Sequence, residues 1–205
     1  MVAIIDYDAG NIRSVEKAFS FIGSEVVVTR DKKILETADH IVLPGVGSFG
    51  DAMNKLQEYS LDVEIKKLVT LGKPFLGICL GMQLLFDGSD ESDGVSGLGI
   101  LHGRIRRIPS DGTLKVPQIG WNNLDIKKDA TLFKNLPKNP YVYFVHSYYL
   151  DADDKEIVAA TTDYGVKVEA SIEKDNIFAC QFHPEKSADI GMQILKNFVG
   201  VKNAD

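Results

Sequence analysis

The chain reads as an α/β protein: an open mixed, mainly parallel sheet flanked by helices, with additional antiparallel strands in its second half. Three observations predict this. Between residues 2 and 86 short apolar runs alternate with segments of helical period, the pattern of strand–helix units whose sheet is covered on both faces. Beyond a stretch rich in Gly, Ser and Asp at 88–97, the pattern changes to strand-like runs joined by turns. The 205 residues, 25% of them charged, are enough to enclose a substantial core. No internal repeat, low-complexity tract or linker interrupts them, so residues 1–205 are expected to form one domain.

Taken in order, a strand over 2–6 leads to a helix over 11–21, closed by Gly23 as its C-cap. A second strand follows at 25–29, and a third at 41–43 is short and wholly apolar. Helices are predicted over 49–58 and 61–71. Pro74 opens a strand that ends at Cys79, and residues 80–86 read as a helix start. Residues 88–97 read as a surface loop. Strand-like runs then occur at 105–108, 118–124, 141–145, 157–161, 166–172 and 177–182, mostly as antiparallel candidates. A helix over 187–199 closes the series.

The net charge of -6 argues against a nucleic-acid partner, because phosphate binding rests on clustered Lys and Arg. The basic cluster Arg104-Ile105-Arg106-Arg107 alternates as a solvated strand face would. The N-terminal Met1-Val2-Ala3-Ile4-Ile5-Asp6 lacks the basic region and long apolar segment of a signal peptide. No apolar run approaches the roughly 20 residues that cross a bilayer. The expectation is a cytoplasmic protein with no membrane association, in which two cysteines, Cys79 and Cys180, are not a disulfide framework.

Gly77-Ile78-Cys79-Leu80-Gly81 places a cysteine between glycines where an apolar strand meets a helix start. A strand that turns sharply into a helix displays its corner side chain, the nucleophile-elbow arrangement with Cys in place of Ser. The helix N-terminus behind the sulfur favours the thiolate. A buried core cysteine is the plainer alternative. A nucleophile needs a base and the base an orienting partner, and the chain has four histidines. His40 and His102 lack a suitable setting, His146 follows an apolar strand, and His183 heads His183-Pro184-Glu185. Proline fixes the backbone between imidazole and carboxylate, so both project from one rigid turn. Without the cysteine this would be a polar helix-entry turn; with it, Cys79, His183 and Glu185 read as a triad. Cys180 and His183 share a metal-ligand spacing, but a structural zinc site needs four ligands, so no metal or cofactor is expected.

Acyl transfer also needs an oxyanion hole. The Leu80 N–H is one donor by elbow geometry. Pro44-Gly45-Val46-Gly47 ends the third strand, where ligand sites of open parallel sheets lie, and its glycines let a peptide plane rotate. Val46 N–H is the expected second donor, with Gly45 and Gly47 beside the substrate; a simple strand-to-helix turn is the alternative.

Gly77-Ile78-Cys79-Leu80-Gly81-Met82-Gln83, with His183-Pro184-Glu185 far downstream, resembles the class I glutamine amidotransferases, proteins of flavodoxin-like fold. The resemblance implies that Cys79 attacks the side-chain amide of glutamine, with His183 and Glu185 completing the triad and Gln83 helping to bind substrate. Further matches lie at Asp6-Tyr7-Asp8-Ala9-Gly10-Asn11-Ile12-Arg13-Ser14-Val15, Pro44-Gly45-Val46-Gly47-Ser48-Phe49, Val116-Pro117-Gln118-Ile119-Gly120-Trp121-Asn122, Phe144-Val145-His146-Ser147-Tyr148-Tyr149 and Phe182-His183-Pro184-Glu185-Lys186-Ser187. They point to the members that serve histidine biosynthesis. These release ammonia to a separate (β/α)8-barrel cyclase, as a heterodimer, and stay slow until that partner is engaged. A Val46 peptide resting with its carbonyl toward the active site would leave the oxyanion hole short of a donor. By the same resemblance His146, Ser147 and Tyr148 contact the glutamine α-groups, while Asn11, Trp121, Asn122 and Lys186 border the partner face. Their plain alternatives are a polar turn, an N-cap, a core tryptophan and a solvated charge. Three rival functions share part of this pattern. The glutaminase subunits of pyridoxal phosphate synthase carry Gly-Gly-Glu-Ser where this chain has Pro-Gly-Val-Gly. A stand-alone γ-glutamyl hydrolase would need no partner, and a non-catalytic binding module would need no triad.

Overall fold

A computed structural model describes residues 1–202 apart from Asp111, Thr113 and Lys128; the last three residues of the expected 1–205 domain lie outside the described residues. Four short strands, β1 (Val2–Ile5), β2 (Val26–Thr29), β3 (His40–Leu43) and β4 (Phe75–Ile78), build one half of an eight-stranded sheet. Helices α1 (Ile12–Phe21), α2 (Lys32–Thr37), α3 (Phe49–Glu58) and α4 (Leu61–Thr70) connect them. Apolar side chains alternate along β1: Ala3 and Ile5 enter a core with α3 and α4, while Val2 and Ile4 enter a second core on the other face. The second core also takes Val15 and Phe19 of α1 and Ile194, Leu195 and Phe198 of α6 (Ala188–Val199). Strands buried on both faces read as continuous apolar runs, which is why they were legible.

The sheet order is β2-β1-β3-β4-β13-β12-β11-β8, with β11 (Val158–Asp163), β12 (Lys167–Lys174), β13 (Ile177–Cys180) and β8 (Asp125–Ile126) forming the other half. One strand departs from the antiparallel expectation. β13 pairs antiparallel with β12 but runs parallel to β4, with Cys180 level with Ile78. All four β13 residues are buried, as an interior strand requires. This pairing brings the segment after β13 beside the one after β4, at the carboxyl ends of parallel strands.

Several elements differ from expectation. α2 carries one buried residue, Leu35, too little for a periodic signal, although Asp31 caps it by accepting from Lys33 N–H at 2.8 Å. The helix after the cysteine, α5 (Leu80–Gln83), is one turn long instead of reaching Phe86. The carbonyls of Leu84, Leu85 and Phe86 accept from Leu98, Leu101 and Gly99, so that loop replaces the next helical turn. The 88–97 stretch contributes β5 (Gly88–Ser89), both residues buried, which pairs with β6 (Gly103–Arg107). β9 (Tyr141–His146) pairs with β7 (Gln118–Asn123), then the chain corners at Ser147 and continues as β10 (Tyr148–Ala152) against β6. The sequence places substrate contacts at that corner, with a polar turn as the alternative, and gives no sign of β10 beyond it.

Candidate active site

Cys79 sits between β4 and α5 with φ 55° and ψ -109°, a conformation that costs a non-glycine residue on the order of 1–3 kcal/mol. The sharpness of the turn dictates its glycines. A Cβ on Gly81 would lie 1.8 Å from the Leu43 carbonyl, and one on Gly77 would lie 2.8 Å from the Gly81 carbonyl. The corner is tied to its neighbour strand by Cys79 N–H donating to Cys180 O at 2.7 Å. The short α5 provides less dipole behind the sulfur than a full helix would.

His183 follows β13, its N–H donating to Tyr143 O at 2.9 Å. Ser187 Oγ donates to the His183 carbonyl at 2.7 Å and accepts from Tyr143 N–H at 3.0 Å, fixing the imidazole's backbone. Pro184 opens a single turn that returns Glu185 to the ring, with His183 Nδ1 and Glu185 Oε1 2.7 Å apart. Asn11 Nδ2 donates to the same oxygen at 2.8 Å. His183 Nε2 is buried and makes no hydrogen bond, and the group it addresses is Cys79. Burial disfavours its charge, but Cys79 and Glu185 outweigh burial and the imidazolium is pushed up to about 9.

The oxyanion side is arranged differently. Leu80 N–H donates to the Gly45 carbonyl at 3.3 Å, so the Gly45–Val46 peptide turns its oxygen toward the elbow. The expected donor position is filled by an acceptor from the chain itself. Behind the strap, Tyr7 Oη donates to Pro44 O at 2.8 Å, and burial holds that phenol well above its usual pKa, keeping it a neutral donor. Tyr7 also leaves no room at Gly45, where a Cβ would lie 2.4 Å from Tyr7 Oη. Val46 is 38% exposed and Gly47 has φ +104° with open space around it.

A cavity of about 290 Å³ opens onto these groups. Val46, Gly47, Cys79, Leu80, Gln83, His146, Ser147, Tyr148 and His183 line it, as do Glu91, Pro117 and Val145. Its size, at the bottom of the range of roughly 300–1,000 Å³ for ligand pockets, suits an amino acid. A larger cavity of about 560 Å³ beside β11 contains no cysteine or histidine and is remote from this chemistry. Among the described residues no cluster of His, Cys, Asp and Glu is arranged to hold a metal ion.

The family model for "Glutamine amidotransferase class-I" matches residues 3–201. The chain belongs to that family. It is 52% identical over 204 residues to the "Imidazole glycerol phosphate synthase subunit HisH" of Bacillus cereus, covering 100% of this chain and 96% of the relative. It is 51% identical to the protein of the same name from Methanothermobacter thermautotrophicus, with 100% of both chains covered. Among solved structures, a glutamine amidotransferase superposes with a TM-score of 0.76 at 20% identity, covering 98% of this chain and 100% of that one. That last likeness concerns the fold.

In this amidotransferase several residues hold positions that sequence reading did not assign. Glu91, placed by sequence in a surface loop, lines the cavity and accepts from the Phe49 N–H at 2.8 Å. Gln83 lines the cavity too, but its Nε2 already donates to Gln181 Oε1 at 2.9 Å and to Tyr148 O at 3.2 Å. His146 is braced at both nitrogens, Nδ1 2.8 Å from Tyr148 O and Nε2 3.0 Å from the Gln118 amide. Burial lowers it to about 4, so it is a neutral wall of the pocket with no free nitrogen for substrate.

The four residues expected on the partner face divide. Trp121 is 52% exposed and packs edge-on to Tyr143, whose ring lies 5.9 Å from Lys186 Nζ; exposed Ile119 and Tyr141 flank them on the same face of β7 and β9. Asn122 instead donates to Asp163 O at 2.9 Å and accepts from Asn123 N–H. Asn11, at the N-cap position of α1, caps nothing with its side chain and is turned inward to Glu185.

Proposed function

We propose that this amidotransferase is the glutaminase subunit of imidazole glycerol phosphate synthase, hydrolysing glutamine to glutamate and ammonia for histidine biosynthesis. The observation that carries the chemistry is the bare, buried His183 Nε2 directed to the elbow cysteine, with Glu185 fixed on the far side of the ring. The Cys79 sulfur adds to the carboxamide carbon, and the carbonyl oxygen takes the charge. The His183 imidazolium gives its proton to the leaving nitrogen, so ammonia departs and a glutamyl thioester remains. Neutral His183 then takes a proton from water, whose oxygen displaces the sulfur and releases glutamate. Glu91 and the corner His146-Ser147-Tyr148 face the α-ammonium and α-carboxylate, Glu91 supplying the acceptor for the cation. Leu80 and Val46 N–H groups form the oxyanion hole once the Gly45–Val46 peptide has turned.

The ammonia acceptor is a cyclase on another chain, a (β/α)8 barrel docked on the apolar and aromatic face of Ile119, Trp121 and Tyr143 with Lys186 at its edge. Both partners work in the cytoplasm, with neither nucleic acid nor membrane involved. The test is glutamine turnover with and without that cyclase and its nucleotide substrate. Stimulation of at least about 10²-fold, expressed in kcat, is the expected result, because one oxyanion donor is worth about that much. An isolated chain already at the stimulated rate would overturn the gating, and no turnover with the loaded cyclase would overturn the function.

A further inference from the structure

Gln181 is completely buried two residues before His183, and neither the triad nor the oxyanion hole uses it. Its Nε2 lies 3.6 Å from Cys79 Sγ. Which end of a side-chain amide faces a neighbour is settled by the network around it. Here the network starts from a group with no ambiguity. The Tyr148 carbonyl only accepts, and it takes the His146 Nδ1 proton at 2.8 Å, so the Gln83 atom 3.2 Å from it is the nitrogen. The second hydrogen of that nitrogen goes to Gln181 at 2.9 Å, so the receiving atom is Oε1. The other end of Gln181 is therefore NH2, and it faces the sulfur.

We infer that Gln181 is a further catalytic residue, whose side-chain N–H holds the Cys79 sulfur as a thiolate aimed into the cavity, with Gln83 locking the amide in that sense. This rests on the reading of Cys79 as the nucleophile. The sulfur has two polar neighbours of opposite effect besides His183. Gln181 N–H at 3.6 Å favours the anion, and the Val145 carbonyl at 4.0 Å favours the protonated thiol, for which it is the acceptor. The donor is the nearer, and it is preorganised: the Gln181 backbone N–H is bonded to Ala170 O at 2.9 Å and the side-chain oxygen is held by Gln83. One-turn α5 leaves the sulfur with little helix dipole, so this amide supplies what a longer helix would. Gln83 thus has two roles, its oxygen toward the cavity and its nitrogen toward the nucleophile's donor.

The experiment measures alkylation of Cys79 by iodoacetamide, followed at that residue by mass spectrometry from pH 5 to pH 10, in the full chain and in Gln181→Met. Loss of a hydrogen bond to a charged group predicts a rate at pH 7 lower by about tenfold and a half-maximal pH higher by about one unit, with the alkaline plateau within about twofold of the parent. A profile that superimposes on the parent overturns the inference. So does a lowered plateau with an unmoved midpoint, which is what mere misplacement would give. Gln181→Glu keeps the shape but sets a carboxylate against the sulfur, and its midpoint moves further up than that of Gln181→Met. Both variants are checked for a cooperative melt. If neither folds, the parent chain answers by NMR: the Gln181 side-chain NH2 signals titrate in step with alkylation, and Cys79→Ala abolishes that titration. Signals indifferent to Cys79→Ala overturn the inference. Alkylation needs no glutamine, so a shifted profile in a chain that never hydrolyses glutamine would fault the proposed function and leave the amide's role standing.

Discussion

The two halves of the site are finished to different degrees. On the β4–β13 side each group of the proposed triad is held by a contact within the chain: Asn11 and His183 on Glu185, Ser187 on the His183 carbonyl, Cys180 on the Cys79 N–H. On the β3–α3 side the Pro44–Gly47 strap carries an exposed valine, a left-handed glycine, and a carbonyl that occupies the Leu80 donor. Acid–base machinery is assembled at rest; charge stabilisation is not. On the function proposed above, assembly of the second half is left to the cyclase. Tyr7, through Pro44, the Leu80 N–H on the Gly45 carbonyl and the packing around Gly45 anchor the strap.

Substitutions in the assembled half should cost the most activity. Cys79→Ala should lower cyclase-stimulated glutamine turnover by at least about 10⁴-fold, measured as ammonia release, since no second thiol lines the cavity. Val46→Pro removes the expected second oxyanion donor. The stimulated kcat should fall by about 10²–10³-fold with KM little changed. A stimulated rate equal to the parent's would mean that the strap supplies no donor. Gly81→Ala probes whether the corner tolerates relaxation. Its Cβ would meet a main-chain oxygen that cannot swing aside, so denaturant melts should show a loss of more than about 3 kcal/mol, or no folded protein. Asn11→Ala tests the innermost support. Losing a hydrogen bond to the Glu185 carboxylate predicts about a tenfold drop in kcat, and an unchanged kcat would remove Asn11 from the triad's support.

The effect of pH is the sharpest in sign. His183 is raised to about 9 in the folded chain against about 6.5 unfolded, so the native state binds more protons between those values. Its contribution is fully present below about pH 6.5 and is lost as pH rises through 9. His146 is lowered to about 4, so the unfolded state binds more protons between 4 and about 6.5. That side chain makes stability fall as pH drops through the same window, by about 3 kcal/mol in all. Urea melts should therefore be best near pH 6.5, and His146→Asn should flatten the acid limb alone. In Cys79→Ala the His183 titration followed by NMR should move down, because one of the two groups holding the proton is gone.

Much of the assembled half was readable in the linear chain because its signals are local. Gly77, Cys79 and Gly81 announce a strained turn within five residues, and His183-Pro184-Glu185 puts base and orienter on one rigid step. The four parallel strands β1 to β4 followed from short apolar runs alternating with helical segments. Elements with weak periodicity escaped: α2 buries one side chain, and β10 was concealed in the corner at Ser147.

The linear chain thus specifies the inventory of chemistry, a displayed thiol, an imidazole with its carboxylate and a glycine-rich strap, because each follows from backbone constraints a few residues long. Tertiary structure alone decided how these are wired. The parallel seating of β13 beside β4, the reach of Asn11 across the fold to Glu185, the path from Tyr148 through Gln83 and Gln181 to the sulfur, and the Gly45 oxygen on Leu80 all join distant segments. A side-chain amide or a peptide plane has no preferred partner in the linear chain; it acquires one only when packing removes water and leaves a single neighbour to bond.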